Sequence, residues 1–166
     1  MLNRLSFLWG VGGVCGLLIM AIYRLSPYTF ELLQQPLSLV HYVALVGSCL
    51  FMAYSEGYKG FQKSFSPRVV SRARCLLTDD AKLHWRLLAP LFCMSWFAAP
   101  RKRKIVVAIL TLMIVCCVVG MKYVPQPWRG IIDAGVLVGL SWGIASIIYC
   151  CYLGSKGLLK SSPELA

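Results

Sequence analysis

Two clusters of polar residues, set among long apolar runs, have the types and spacing to do chemistry. Arg68, Ser71, Arg72 and Arg74 follow Ser66–Pro67, which reads as a helix start because serine caps orphan N–H groups and proline suits the first helical position. Guanidinium groups beside a hydroxyl at a helix start match phosphate geometry. This cluster is a candidate site for an anionic headgroup. His41, Arg129 and Asp133 form the second group. Asp133 lies about one turn inside an apolar run, four residues after Arg129. That spacing predicts an ion pair that fixes a turn, or else a shallow polar site shared with His41.

Other chemistries are not indicated. The eight cysteines contain no Cys-x-x-Cys pair, and only His41 and His84 could join them as ligands, so no metal site is expected. Cysteines lying mostly within or beside apolar runs read as small buried hydrophobes. No metalloprotease, hydrolase or nucleotide-binding motif occurs, so neither catalytic residues nor a cofactor is expected.

The elements that must position these residues are membrane spans. Hydrophobic residues make up 58% of the chain and charged residues only 14%, with mean hydropathy +0.70. Soluble domains run at about 45–50% apolar and about 25% charged. Apolar runs at residues 5–23, 37–54, 105–121 and 131–153 each approach the roughly 20 residues that cross a hydrocarbon core. The stretch 87–100 is shorter, is interrupted by Pro90 and ends at Pro100, which fits an interfacial or re-entrant segment. The first run lacks a small-x-small cleavage site before Arg24 and reads as a retained anchor.

Basic residues set the expected orientation. With four spans and the N-terminus inside, fourteen of the 17 Lys and Arg residues fall on the inner side. Counting 87–100 as a fifth span would leave ten inside and seven outside, so the positive-inside rule favours four. The tyrosines agree: Tyr23, Tyr28, Tyr42 and Tyr123 lie at outer ends of spans, and Tyr54, Tyr58, Tyr149 and Tyr152 at inner ends. The expected fold is therefore an all-α membrane protein with four transmembrane helices, N-in and C-in. A basic cytoplasmic helical hairpin over about 55–104 would lie on the membrane. The net charge of +11 is explained by this topology and by anionic lipids rather than by nucleic acid.

Within the hairpin, Tyr54, Tyr58, Phe61 and Phe65 share one helical face and Lys59 and Lys63 another. Thr78, Asp79 and Asp80 would cap a further helix. Gly135, Gly139 and Gly143 recur every four residues in the last run, and Gly12 and Gly16 repeat the spacing in the first. Such small-residue stripes let helices approach closely in lipid. They predict packing of the first span on the last, or a homodimer.

The expected role is a non-enzymatic scaffold, assembly factor or accessory subunit of a membrane complex, most naturally in the plasma (inner) membrane. A small transporter or channel is the first alternative and would need polar groups at mid-depth. A lipid-handling enzyme is the second.

Overall fold

The computed structural model describes residues 2–78 and 82–159. Those residues form helices and turns with no strand: α1 (Leu2–Leu33), α2 (Leu39–Met52), a π-helical segment (Ala53–Phe65), α3 (Ser66–Cys75), α4 (Leu83–Leu87), α5 (Ala89–Cys93), α6 (Arg101–Gly120), a 3₁₀ turn (Met121–Tyr123) and α7 (Trp128–Ser155). Four helices are long and apolar enough to cross a membrane, so by length and composition this is a multi-pass membrane protein.

The second of these helices runs unbroken from Leu39 to Cys75. The sequence pattern instead places a stop and restart at Ser66–Pro67. Phe65 and Ser66 both keep right-handed helical backbone, and the Ser66 N–H donates to the Phe61 carbonyl five residues back. Pro67, which offers no N–H, sits inside this continuous helix at the change from the π segment to α3. The Ser66 hydroxyl is buried and makes no hydrogen bond, so it does not cap a helix. The expected cap at Asp79 and Asp80 lies outside the described residues. Thr78 donates its hydroxyl back to the Cys75 carbonyl at 2.7 Å, closing α3.

Helix α7 is the hub. α1 packs along one side of it, and α2, the π segment and α3 pack along another. Its buried positions include Gly130, Gly135, Gly139, Gly143 and Gly154, which keep neighbouring helices close where lipid gives apolar burial no preference between faces. The densest core lies toward the end of the bundle where α1, α3, α5 and α7 meet. There Val14, Val69, Val70, Leu76, Phe92 and Ile147 are almost wholly buried.

The segment 87–100 forms only the five-residue α5 followed by turns. It rests on α1: a β-carbon at Gly10 would lie 2.9 Å from Cys93 Sγ, and one at Gly13 would strike Pro90. Trp9 Nε1 donates to the Leu87 carbonyl at 3.2 Å, and Trp85 stacks on Phe92 with ring centroids 5.0 Å apart.

Helix α6 stands apart. Among the described residues none in it is buried, and its one substantial packing partner is the 3₁₀ turn that follows it.

Candidate functional site

The structure brings polar residues onto the glycine stripe of α7. A β-carbon at Gly135 would lie 3.0 Å from Met52 Cγ, one at Gly139 would lie 3.1 Å from Glu56 Oε2, and one at Gly143 would lie 2.8 Å from Phe61. The stripe therefore meets the second spanning helix, not the first. Among the described residues nothing lies within 4 Å of a β-carbon placed on Gly12 or Gly16, so the packing of α1 on α7 does not run through them. The tight contacts of α1 fall at Gly10, Gly13 and, through Leu32, at Gly130.

The partner face of the stripe is the π-helical segment. Its i→i+5 hydrogen bonding aligns residues five apart. Lys59 Nζ accordingly lies 4.7 Å from the Tyr54 ring centroid, and Lys63 Nζ 4.6 Å from that of Tyr58. The two lysines thus share a face with the tyrosines instead of occupying a separate one. Phe61 and Phe65 pair edge to face at 5.4 Å. Gly57 is buried against Trp142, and Trp142 Nε1 donates to Gln62 Oε1 at 2.9 Å.

This contact aligns the polar segment with the interior of α7. Gly139 lies about 17 Å from the start of α7 and roughly 24 Å from its end at 1.5 Å per residue. Glu56 thus lies beside the middle of a spanning helix, whereas the hydropathy pattern places it just beyond the second span. An open groove of about 690 Å³ flanks the same place, lined by Gln62, Leu137, Val138, Trp142, Ala145 and Tyr149 among others. Sequence reasoning missed Glu56 and Gln62 as site residues. The glycine at position 57 was the available signal of close packing, but nothing in the sequence named Trp142 as its partner.

The arginine cluster divides. Arg72 is fully buried, and its guanidinium lies 4.3 Å over the Phe92 ring. Its Nε donates to the Phe92 carbonyl at 2.7 Å, Nη2 to that of Phe97 at 2.8 Å, and Nη1 and Nη2 to that of Ala98 at 3.2 Å. Ser95 and Ala98 adopt positive φ values of 69° and 50°, an uncommon conformation outside glycine. The turn they shape directs three carbonyls at one cation. Arg72 therefore clamps the 92–98 turn onto α3. Arg68 Nη2 donates to the Ser64 carbonyl and hydroxyl at 3.0 and 2.8 Å, and Ser71 donates to the Pro67 carbonyl at 2.8 Å. Arg74 is exposed.

At the other end of α7, Arg129 Nε lies 3.8 Å from Asp133 Oδ2, and the Arg129 guanidinium sits 3.5 Å over the Tyr28 ring. Asp133 is buried. His41 serves α2: its Nδ1 accepts the Ser38 N–H at 3.3 Å, and its ring meets Trp128 edge to face. Gln126 ties the turn to α1, donating to the Tyr28 carbonyl and accepting the Gly130 N–H. Arg129 and Asp133 come together as their spacing predicts, while His41 is engaged with Ser38 and Trp128.

Among the described residues, no three His, Cys, Asp or Glu side chains gather as a metal site. Comparison with protein-family models, curated proteins and solved structures gives no match.

Proposed function

We propose that this chain is a non-enzymatic accessory or scaffold subunit of a membrane complex. The observation that carries this reading is α6, a spanning-length helix left almost wholly unburied by the described residues of its own chain. The other three spanning helices pack into one bundle around α7. A connection of four residues, Val124–Pro127, follows the 3₁₀ turn and tethers α6 to α7. That tether holds α6 beside the bundle while leaving its faces to an outside partner. The occupant proposed for those faces is a transmembrane helix of a different membrane protein, because the chain's own close-packing glycine stripe is already filled by α2 and the π segment.

In this reading the N- and C-termini face the cytoplasm of a plasma (inner) membrane. The bases at Arg101–Lys104, together with exposed Arg74, meet anionic headgroups on that side. Arg72 is occupied within the fold and does not serve a headgroup.

The test is site-specific photocrosslinking in native membranes. Probes at Leu112 and Ile109, both exposed on α6, should crosslink to a spanning segment of a second protein present in stoichiometric amount. A probe at buried Ile147 should crosslink only within the chain. Crosslinks from α6 to lipid alone, with no stoichiometric partner, would refute the reading.

A further inference from the structure

We propose that Glu56 is an intramembrane proton-binding site: a carboxyl presented by the π-helical segment to the glycine stripe at the middle of α7. This goes beyond the subunit role above and rests on different residues.

The placement comes first. The Glu56 carboxylate lies against Gly139, where an added β-carbon would stand 3.1 Å from Oε2. Trp142 packs against the next residue, Gly57, and the Met52 carbonyl lies 3.7 Å from the same β-carbon position at Gly139. A carboxylate at such depth in a bilayer is costly without compensation, and intramembrane carboxyls commonly carry protons.

Compensation by a charge is missing. Among the described residues, no hydrogen-bond or ion-pair partner reaches Glu56. From α7 nothing titratable faces it, because no ionisable side chain lies between Asp133 and Tyr149. From α2 the titratable groups are Cys49, Tyr42 and His41, and His41 is engaged at the far end with Ser38. On its own segment, Lys59 and Lys63 are each drawn over a tyrosine ring. From α3, Arg68 is held by Ser64 and Arg72 by the 92–98 turn, while Arg74 and Cys75 lie at the helix end. Among the described residues, that leaves a proton as the neutraliser.

π-Helical turns inside α-helices occur frequently at functional sites, and this one spans 13 residues with the carboxyl in its first turn. Gln62 and Ser64 follow on the same segment, between Glu56 and α3.

The experiment uses the full chain in phospholipid vesicles and N,N′-dicyclohexylcarbodiimide, a lipid-soluble reagent that adds to a protonated carboxyl. The whole reagent is retained as an N-acylurea, so peptide mass spectrometry reads the site directly. At pH 6 an adduct is expected at Glu56, with a yield that falls as pH rises. A water-soluble carbodiimide with glycine ethyl ester should leave Glu56 unmodified. Glu56→Gln keeps the shape of the neutral acid, so it should fold as the parent does and lose both the adduct and the carboxylic C=O band in the infrared difference spectrum. Absence of a Glu56 adduct with the lipid-soluble reagent at pH 6 overturns the proposal, as does ready modification of Glu56 from the aqueous phase.

Discussion

Gly57 and Trp142 are in such close contact that a β-carbon at position 57 would lie 2.9 Å from the indole Cγ. The same indole donates from Nε1 to Gln62 at 2.9 Å. One tryptophan thus holds the π-helical segment to α7 through both packing and a hydrogen bond.

Gly57→Leu should displace Trp142 and lower the thermal midpoint in detergent, with an overpacking cost of about 1–3 kcal/mol or more. Gly60→Ala should be close to neutral, since the nearest atom to its added carbon is the Ser55 carbonyl at 3.4 Å. Fluorescence-detected size-exclusion chromatography after heating reads both. Equal sensitivity at 57 and 60 would contradict the contact.

Gly139→Leu should separate the π segment from α7 and reduce the yield of folded protein, because in lipid no water exclusion makes up for the weakened dispersion attraction between the two backbones. Gly12→Leu and Gly16→Leu should leave yield and thermal midpoint unchanged, their surroundings being open. If Gly16→Leu proves as damaging as Gly139→Leu, α1 makes a contact outside the chain.

Arg72→Gln should destabilise by roughly 3 kcal/mol or more, since it strips donors from buried carbonyls that each cost about 1–3 kcal/mol when left unpaired. Arg72→Lys should rescue only in part, because an ammonium cannot reproduce the planar fork. Arg74→Gln should leave stability unaltered while weakening attachment of basic surface to anionic lipid. Thermal unfolding across the three variants, with native mass spectrometry of retained lipids, separates the two roles.

Single cysteines in a cysteine-free background should react with an impermeant maleimide from outside at Gln126 and from inside at Lys102. Gln62→Cys should react from neither side, because position 62 packs on Trp142 within the length of the spanning helix α7. Outside labelling at Lys102 would reverse the orientation of α6.

Burial pushes the Cys93 thiol up to about 12, whereas an unfolded chain ionises near the ordinary thiol value of about 8.5. The folded state then keeps its proton where the unfolded state has lost it. The stability so contributed is fully present below the unfolded value and is lost as pH rises from there toward 12. Alkylation of Cys93 at pH 8 should be negligible until the protein unfolds, and Cys93→Ala should flatten the decline of the thermal midpoint above pH 9.

Several features were legible from composition and local spacing. The four spanning helices follow from runs that satisfy their backbone groups internally, which lipid demands of any segment crossing it. The Arg129–Asp133 pair follows from helical spacing alone. The brevity of the 87–100 segment was set by Pro90 and Pro100. The cluster Arg68–Arg74 was located correctly on a helix, but its division into a buried clamp and an exposed residue was not, because the carbonyls that hold Arg72 come from residues 92–98, over twenty positions away.

By itself the sequence determined how many helices can cross a membrane and where the small residues lie along them. Hydropathy and periodicity are properties of one segment at a time. The tertiary structure decided the register between segments: Glu56 beside Gly139, Gln62 on Trp142, the stripe turned to α2 and the π segment instead of α1, and α6 left outside the bundle. The physical reason lies in the lipid. With apolar burial equal on every face, helix pairing is selected by shape and by scattered polar contacts, such as a missing β-carbon opposite an indole, and these exist only once two distant segments meet.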